Sequence, residues 1–393
     1  MVGSVAPFLA FVASHRLHCS GTLISLMLAS PWVGSTLCLV WANAMEGRST
    51  MRFVTITWIV ARGLILLMAF AVTPYMFAAV AIGYQFINMI CIPGYTSIMK
   101  AIYPDDHRGK LMGYVRMAMT IVATVTTLAV GPILKHWDWS YRVVFPIGAV
   151  FGMASALIFY RIKIPGDDEE SLSQTQRVPF ADTVRSVVSV LRHDKRFAWF
   201  MFATTVYGFG NFFAIPAYPK FMDEVLKMDE WTLAIYSVLA SIALMLGYMF
   251  WGHYIDRKSP VRCTAITIFI NAGLPLVCLL STSVAHLVPG PPAYVWVFPA
   301  AVMAGAVQAG LELSYFSAVL HFAPPGQEMV YQSVQSGIQG LRGIAGPIMG
   351  GIMYDVLKQG HHDVRYVFLV SFVLILVGWA LLAYGRKDLR TSD

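Results

Sequence analysis

The sequence predicts an all-α membrane protein, with twelve helix positions in two pseudo-symmetric six-helix bundles and the first helix shortened. Three observations carry this expectation. Of 393 residues, 57% are hydrophobic and only 12% charged, against roughly a quarter charged in a soluble globular chain. Eleven long apolar runs fill most of the chain, each near the ~20 residues that cross a bilayer as a helix. The second half repeats landmarks of the first in the same order. Together these exclude a soluble enzyme, a nucleic-acid module and a single-anchor receptor. No polar stretch is long enough to fold as a separate catalytic domain.

The runs lie at about 21–45, 52–73, 75–100, 111–135, 141–160, 197–219, 230–253, 261–283, 293–321, 329–354 and 363–384, after a short one at 2–14. They are long and do not alternate, which favours helices over barrel strands. Numbered with the short run as span one, they give twelve spans. Between spans six and seven lies a polar linker containing Gly166-Asp167-Asp168-Glu169-Glu170. Within it, Val184, Val187, Val188 and Leu191 recur at helical spacing, as in a helix lying on a membrane surface. The expected division is an N-terminal bundle over 1–162, a cytoplasmic linker over 163–195 and a C-terminal bundle over 196–393.

The formal charge of +7 reads as the cytoplasmic excess of Lys and Arg in membrane proteins rather than as a nucleic-acid footprint. If the linker is cytoplasmic and each span changes side, eighteen of the 28 basic residues fall on the linker side and seven opposite. The other three, Arg62, Arg116 and Arg342, lie within spans. This bias places the linker and the C-terminus in the cytoplasm, in a plasma or inner membrane. The five cysteines form no close pair, so no metal or redox motif arises. His15 with His18, and His361-His362-Asp363, are short loop clusters. No phosphate-binding glycine loop is present, and no cofactor is expected.

The duplication is read residue by residue. Trp41, Glu46, Arg48, Ser49 and Arg52 match Trp251, Asp256, Lys258, Ser259 and Arg262 at a constant offset. Tyr95, Ser97 and Pro104 match Tyr315, Ser317 and Pro324; Gly131-Pro132 matches Gly346-Pro347; Arg142 and Phe145 match Arg365 and Phe368. Matches in this order indicate an internal repeat. Six spans on each side of the linker make it parallel.

On these residues the chain resembles a major facilitator superfamily transporter across its whole length. That family carries Gly-x-x-x-Asp-Arg-x-Gly-Arg between spans two and three and again between eight and nine. Gly252, Asp256 and Arg257 match the second copy, with Arg262 beyond it. In the first copy Ala42, Glu46 and Gly47 depart from it, with Arg48 and Arg52 following. The resemblance implies a cytoplasmic latch, in which Glu46 meets the start of span eleven near Glu328–Tyr331. Asp256 likewise meets the start of span five around Arg108–Arg116, with Arg116 belonging to the latch. A carboxylate at a helix N-terminus is favoured by the dipole there. The family's span-five antiporter motif is reduced here to Gly131-Pro132, and its fuller form, Gly346-Pro347-Ile-Met-Gly350-Gly351, lies in span eleven. The direction of exchange is left open.

Charges inside spans are costly and mark function by default. Glu312 in span ten is the one deep carboxylate. Counting about 1.5 Å per residue puts Arg342 in span eleven at a similar depth. The two are expected to interact directly, through one water or through a ligand, as a substrate- or proton-binding pair or as a structural ion pair. Arg62 is expected to bond carbonyls or snorkel. The family's cavity is lined by spans one, four, seven and ten. The resemblance therefore adds Gln85, Asn88, Tyr207, Asn211 and Gln308 to the site, with Gln335 and Gln339 from span eleven beside them. Pro93-Gly94 and Pro216 are candidate kinks.

The expected function is secondary active transport of a small polar or anionic solute by alternating access, coupled to protons or sodium. The expected partners are that solute, the ion and the bilayer, without nucleic acid, and the carrier is monomeric. A transport-dead sensor is the alternative. A membrane enzyme would need a cluster of acids, histidines or a nucleophile–base pair at one face, and the sequence offers none. Run 2–14 covers only about 20 Å of a ~30 Å hydrocarbon core, so span one lacks part of its length. The chain as given is then expected to be weakly stable and to transport little. An upstream in-frame segment of about a dozen apolar residues should restore uptake in a side-by-side assay. Full transport without it contradicts this expectation.

Overall fold

The computed structural model describes residues 9, 12, 13, 17, 21–45, 47–104, 107–136, 139–164, 185, 189–228, 230–288 and 290–385. Run 2–14 and the linker helix fall almost entirely outside these residues, as does Glu46. Every regular element among the described residues is helical. Among the described residues, seven helices are long and apolar enough to cross a membrane. An eighth span is the pair Pro74–Ile90 and Ile92–Ile102, bent by 42° at its break. The bend sits where Pro93 opens the second helix, since proline supplies no N–H to continue the first. The 32-residue helix Glu328–Gln359 is not among those spans. Its first half is rich in glutamine, serine and glycine, and Gln332, Ser333, Gln335 and Ser336 are all buried there.

The chain forms two compact units. The first comprises Met1–Pro104, Ala118–Val188 and Ala323–Gly340. Its core joins Ala61 and Ile65 of the helix Thr50–Leu66 to Phe77, Tyr141 and Phe145. Ser49 caps that helix by accepting from the Arg52 N–H at 3.2 Å, which satisfies one of its orphan donors. The Tyr141 hydroxyl donates to the Ala71 carbonyl at 2.8 Å. Arg62 donates to the Gly152 carbonyl and lies 5.1 Å over the Trp58 ring. Residues 323–340 pack on span two, which is the helices Gly21–Thr36 and Cys38–Met45. Ser35 Oγ donates to the Ser336 carbonyl at 2.9 Å, and Gly340 abuts Trp32 and Thr36.

The second unit comprises Asp105–Met117, Ser189–Phe322 and Leu341–Asp393. Asp194 caps the helix Lys195–Ala214 through the Phe197 N–H at 2.9 Å. That helix is tied to Tyr366–Gly385 by Trp199 Nε1 donating to the Leu381 carbonyl and Ser371 Oγ donating to the Gly210 carbonyl. The repeated phenylalanines have repeated surroundings. Phe145 packs against Phe77 and Tyr141, and Phe368 against Phe221 and Tyr218; both are fully buried.

Helices in lipid gain little from hiding apolar surface from one another, so close packing through small residues holds them. Span eleven illustrates this. A Cβ on Gly346 would come within 2.7 Å of Phe212 Cβ, and one on Gly350 would collide with the Phe213 carbonyl. Gly351 has nothing within 4 Å of a Cβ. Gly350→Ala is therefore expected to lower stability by about 1–3 kcal/mol through overpacking. Gly351→Ala should be neutral or stabilising by up to about 1 kcal/mol. Thermal unfolding of the purified chain in detergent checks both, and equal melting temperatures for the two variants contradict the packing account.

Candidate functional site

Glu312 lies on the helix Phe298–Phe322, about 15 Å from its C-terminal end at 1.5 Å per residue. Gln308 is one turn earlier on the same face, and its Nε2 donates to Glu312 Oε1 at 2.6 Å. Tyr248, on the helix Glu230–Arg257, donates its hydroxyl to Glu312 Oε2 at 2.5 Å. Each carboxylate oxygen thus receives one neutral donor. Arg116 stands within electrostatic reach of the Tyr248 hydroxyl. Tyr248 is buried, Glu312 half-buried and Gln308 exposed.

The direct partners of Arg342 are other than Glu312. Among the described residues no ion pair joins them, which corrects the direct pairing expected from equal depth. Depth along a helix does not fix the direction a side chain faces, and the two point at different neighbours. Arg342 is 6% exposed and donates from Nη1 to the Thr204 carbonyl in span seven. Its guanidinium lies 5.9 Å from the Phe212 ring centre and 5.6 Å from that of Tyr315. Gly208 permits this, because a Cβ there would collide with the guanidinium. Beside it, Asn271 Nδ2 donates to the Tyr207 hydroxyl at 2.7 Å and to Asn211 Oδ1 at 2.9 Å.

The structure therefore puts Glu312 with Gln308, and Tyr207 with Asn211, in two polar clusters of the second unit. Gln85, Asn88, Gln335 and Gln339 belong to the first unit. Gln85 donates to the Met27 carbonyl at 2.8 Å, Asn88 and Gln339 are half-buried, and Gln335 is buried. Sequence reasoning missed Tyr248 and Asn271. The signal for Asn271 was available, as the one amide within its apolar run. Tyr248 had no such signal, since tyrosine is common in apolar runs.

The loop residues divide as well. Asp256 Oδ1 accepts from the Gly109 N–H and Oδ2 from the Lys110 N–H, both at 2.7 Å. These amides open the helix Arg108–His136, so the carboxylate fills orphan donors and meets the positive dipole end. Gly252 makes the approach possible, because a Cβ there would lie 2.6 Å from the Gly109 carbonyl oxygen. At the start of helix Glu328–Gln359, buried Glu328 pairs with Lys100 at 2.7 Å. Arg48, Arg52 and Arg257 are exposed and Arg262 is half-buried.

Comparison with known proteins gives the context. The profile described as Major Facilitator Superfamily matches residues 1–327 and 200–392. A relative from Oryza sativa subsp. japonica, "Probable anion transporter 1, chloroplastic", is 23% identical over 372 residues, covering 88% of this chain. The match spans 66% of that relative, just under two thirds of its length. Among solved structures, the human organic anion transporter MFSD10 (TETRAN) superposes with TM-score 0.74 at 12% identity, covering 97% of this chain and 95% of its own. A variant of the Escherichia coli fucose:proton symporter FucP superposes with TM-score 0.70 at 13% identity, over 98% and 95%. These two likenesses show a shared fold.

The Asp256 geometry makes a measurable claim. Asp256→Ala leaves two amides of a helix N-terminus without their acceptor and should cost about 0.5–2 kcal/mol. Asp256→Asn keeps an acceptor oxygen, loses the charge and should cost less. Thermal unfolding of the two variants checks the order. An alanine variant as stable as the parent contradicts the capping role.

Proposed function

The chain belongs to the major facilitator superfamily, and on that premise we propose that it moves a small polar or anionic solute across a membrane by alternating access, coupled to protons or sodium. The observation that carries the coupling is the setting of Glu312. Its two oxygens are held by a phenol and an amide, both neutral. Neutral partners do not lock the carboxylate in its charged form, as a paired guanidinium would. The Tyr248 hydroxyl donates to the ionised acid and can turn to accept from the protonated one. Gln308 and Glu312 also keep exposure at mid-helix. Groups at that depth are not left against hydrocarbon, so their shared face meets water during the cycle.

In this reading the moving bodies are the sequence halves on either side of 163–195. Asp256 on the Gly109–Lys110 amides is one latch that opens once per cycle, and Arg116, Arg257 and Arg262 serve it. Glu46, Arg48 and Arg52 serve the other. Gln85, Asn88, Tyr207, Asn211, Gln335, Gln339 and Arg342 contribute solute contacts. The excess of Lys and Arg on the linker side supports an inner or plasma membrane with the linker and C-terminus cytoplasmic. The relative named as an anion transporter supports an anionic solute.

Counterflow in proteoliposomes tests the reading, using a solute first identified by thermal-shift screening of polar and anionic metabolites. Glu312→Gln is expected to stay folded, to retain solute exchange at equal pH on both sides and to lose accumulation driven by a pH gradient. If Glu312→Gln accumulates solute with the parent's pH dependence, Glu312 is structural and the coupling assignment is wrong.

A further inference from the structure

Among the described residues, the surroundings of Arg342 hold no counter-charge. Its charge is 6% exposed, and among the described residues no carboxylate lies within ion-pair distance of it. Nη1 has the Thr204 carbonyl, but Nε is buried and among the described residues has no acceptor. The Phe212 and Tyr315 rings supply a quadrupole, and the Tyr315 hydroxyl a neutral polar neighbour, but neither residue supplies a counter-charge. Tyr207, 1% exposed and within electrostatic reach of Arg342, shows the same imbalance. Its oxygen accepts from Asn271, whose amide also donates to Asn211, and among the described residues nothing receives the Tyr207 proton. A buried guanidinium without a counter-charge is expensive, and so is a buried donor without an acceptor.

We propose that Arg342 and the Tyr207 hydroxyl form the receptor for an anionic headgroup, a carboxylate or phosphate, on the transported solute. The inference rests on the carrier reading and narrows its solute class to anions. A two-oxygen anion offers acceptors to Arg342 Nε and Tyr207 together and supplies the missing charge. Charge-assisted hydrogen bonds of this kind are the strong ones. Glu312 is held by other partners and stays free to take the coupling ion, so solute charge and ion charge occupy separate places.

The test uses the purified full chain in detergent without added lipid, which removes lipid headgroups as a source of phosphate. Thermal unfolding is followed against acetate, succinate, inorganic phosphate and phenyl phosphate, with acetamide and ethylammonium as uncharged and cationic controls. A ligand that binds only the folded state raises the melting temperature with concentration. At least one of the four anions should do so, and neither control should. Arg342→Gln should weaken the apparent Kd by about ten- to hundredfold, and Tyr207→Phe by about two- to tenfold. Arg342→Lys should keep part of the affinity, as a point charge replacing a planar fork. No stabilisation of the parent by any of the four anions overturns the inference, as does unchanged affinity in a monodisperse Arg342→Gln. If that variant does not fold, unchanged affinity in both Tyr207→Phe and Arg342→Lys overturns it equally. The two readings fail separately. Anion binding through Arg342 without counterflow refutes the carrier. Counterflow with Arg342-independent binding refutes the receptor.

Discussion

One constraint shapes the second unit: a charge placed at mid-helix in a membrane protein needs polar partners built for it. For Glu312 the partners are Tyr248 from a neighbouring helix and Gln308 from its own. The choice of neutral donors matters more than their number. A guanidinium would have supplied a counter-charge, whereas a phenol and an amide supply hydrogen bonds alone. Arg342 meets the same constraint differently, with a carbonyl, two rings and an unfilled donor. The two charges do not neutralise each other directly.

Backbone approach is the second theme. Asp256 reaches two amides because Gly252 lets its helix come against Gly109, and Gly113 abuts the Tyr248 carbonyl in the same way. The helix Glu230–Arg257 therefore carries the capping carboxylate near its end and the Glu312 partner two turns earlier. A rigid helix bearing both gives a physical route by which release of the Asp256 contact and a change at Glu312 would be felt by each other in the proposed cycle.

Much of this was legible in the sequence. Apolar run lengths gave the helices, and Pro93-Gly94 marked the bend between Ile90 and Ile92. The repeated Arg-x-x-Phe landmarks led to Phe145 and Phe368, which are equally buried. Glu312 was found because acids are rare inside spans. What sequence could not give was direction around each helix axis. Counting residues put Glu312 and Arg342 at one depth, yet one faces Tyr248 and the other Thr204. Tyr248 itself escaped notice because hydropathy treats tyrosine as nearly apolar, and its contact with Glu312 depends on one hydroxyl aimed by tertiary packing. The Gly346–Gly351 segment looked like a transport motif, and its Gly346 and Gly350 are points where span eleven touches Phe212 and Phe213.

The central claim is that Glu312 binds and releases a proton within its Tyr248–Gln308 setting. Infrared difference spectroscopy of the reconstituted protein, titrated from neutral to acid pH, addresses it directly. The account predicts a protonated-carboxyl stretch that grows on acidification, is absent in Glu312→Gln and shifts in Tyr248→Phe as the hydroxyl is lost. A titration spectrum identical in the parent and in Glu312→Gln would contradict it.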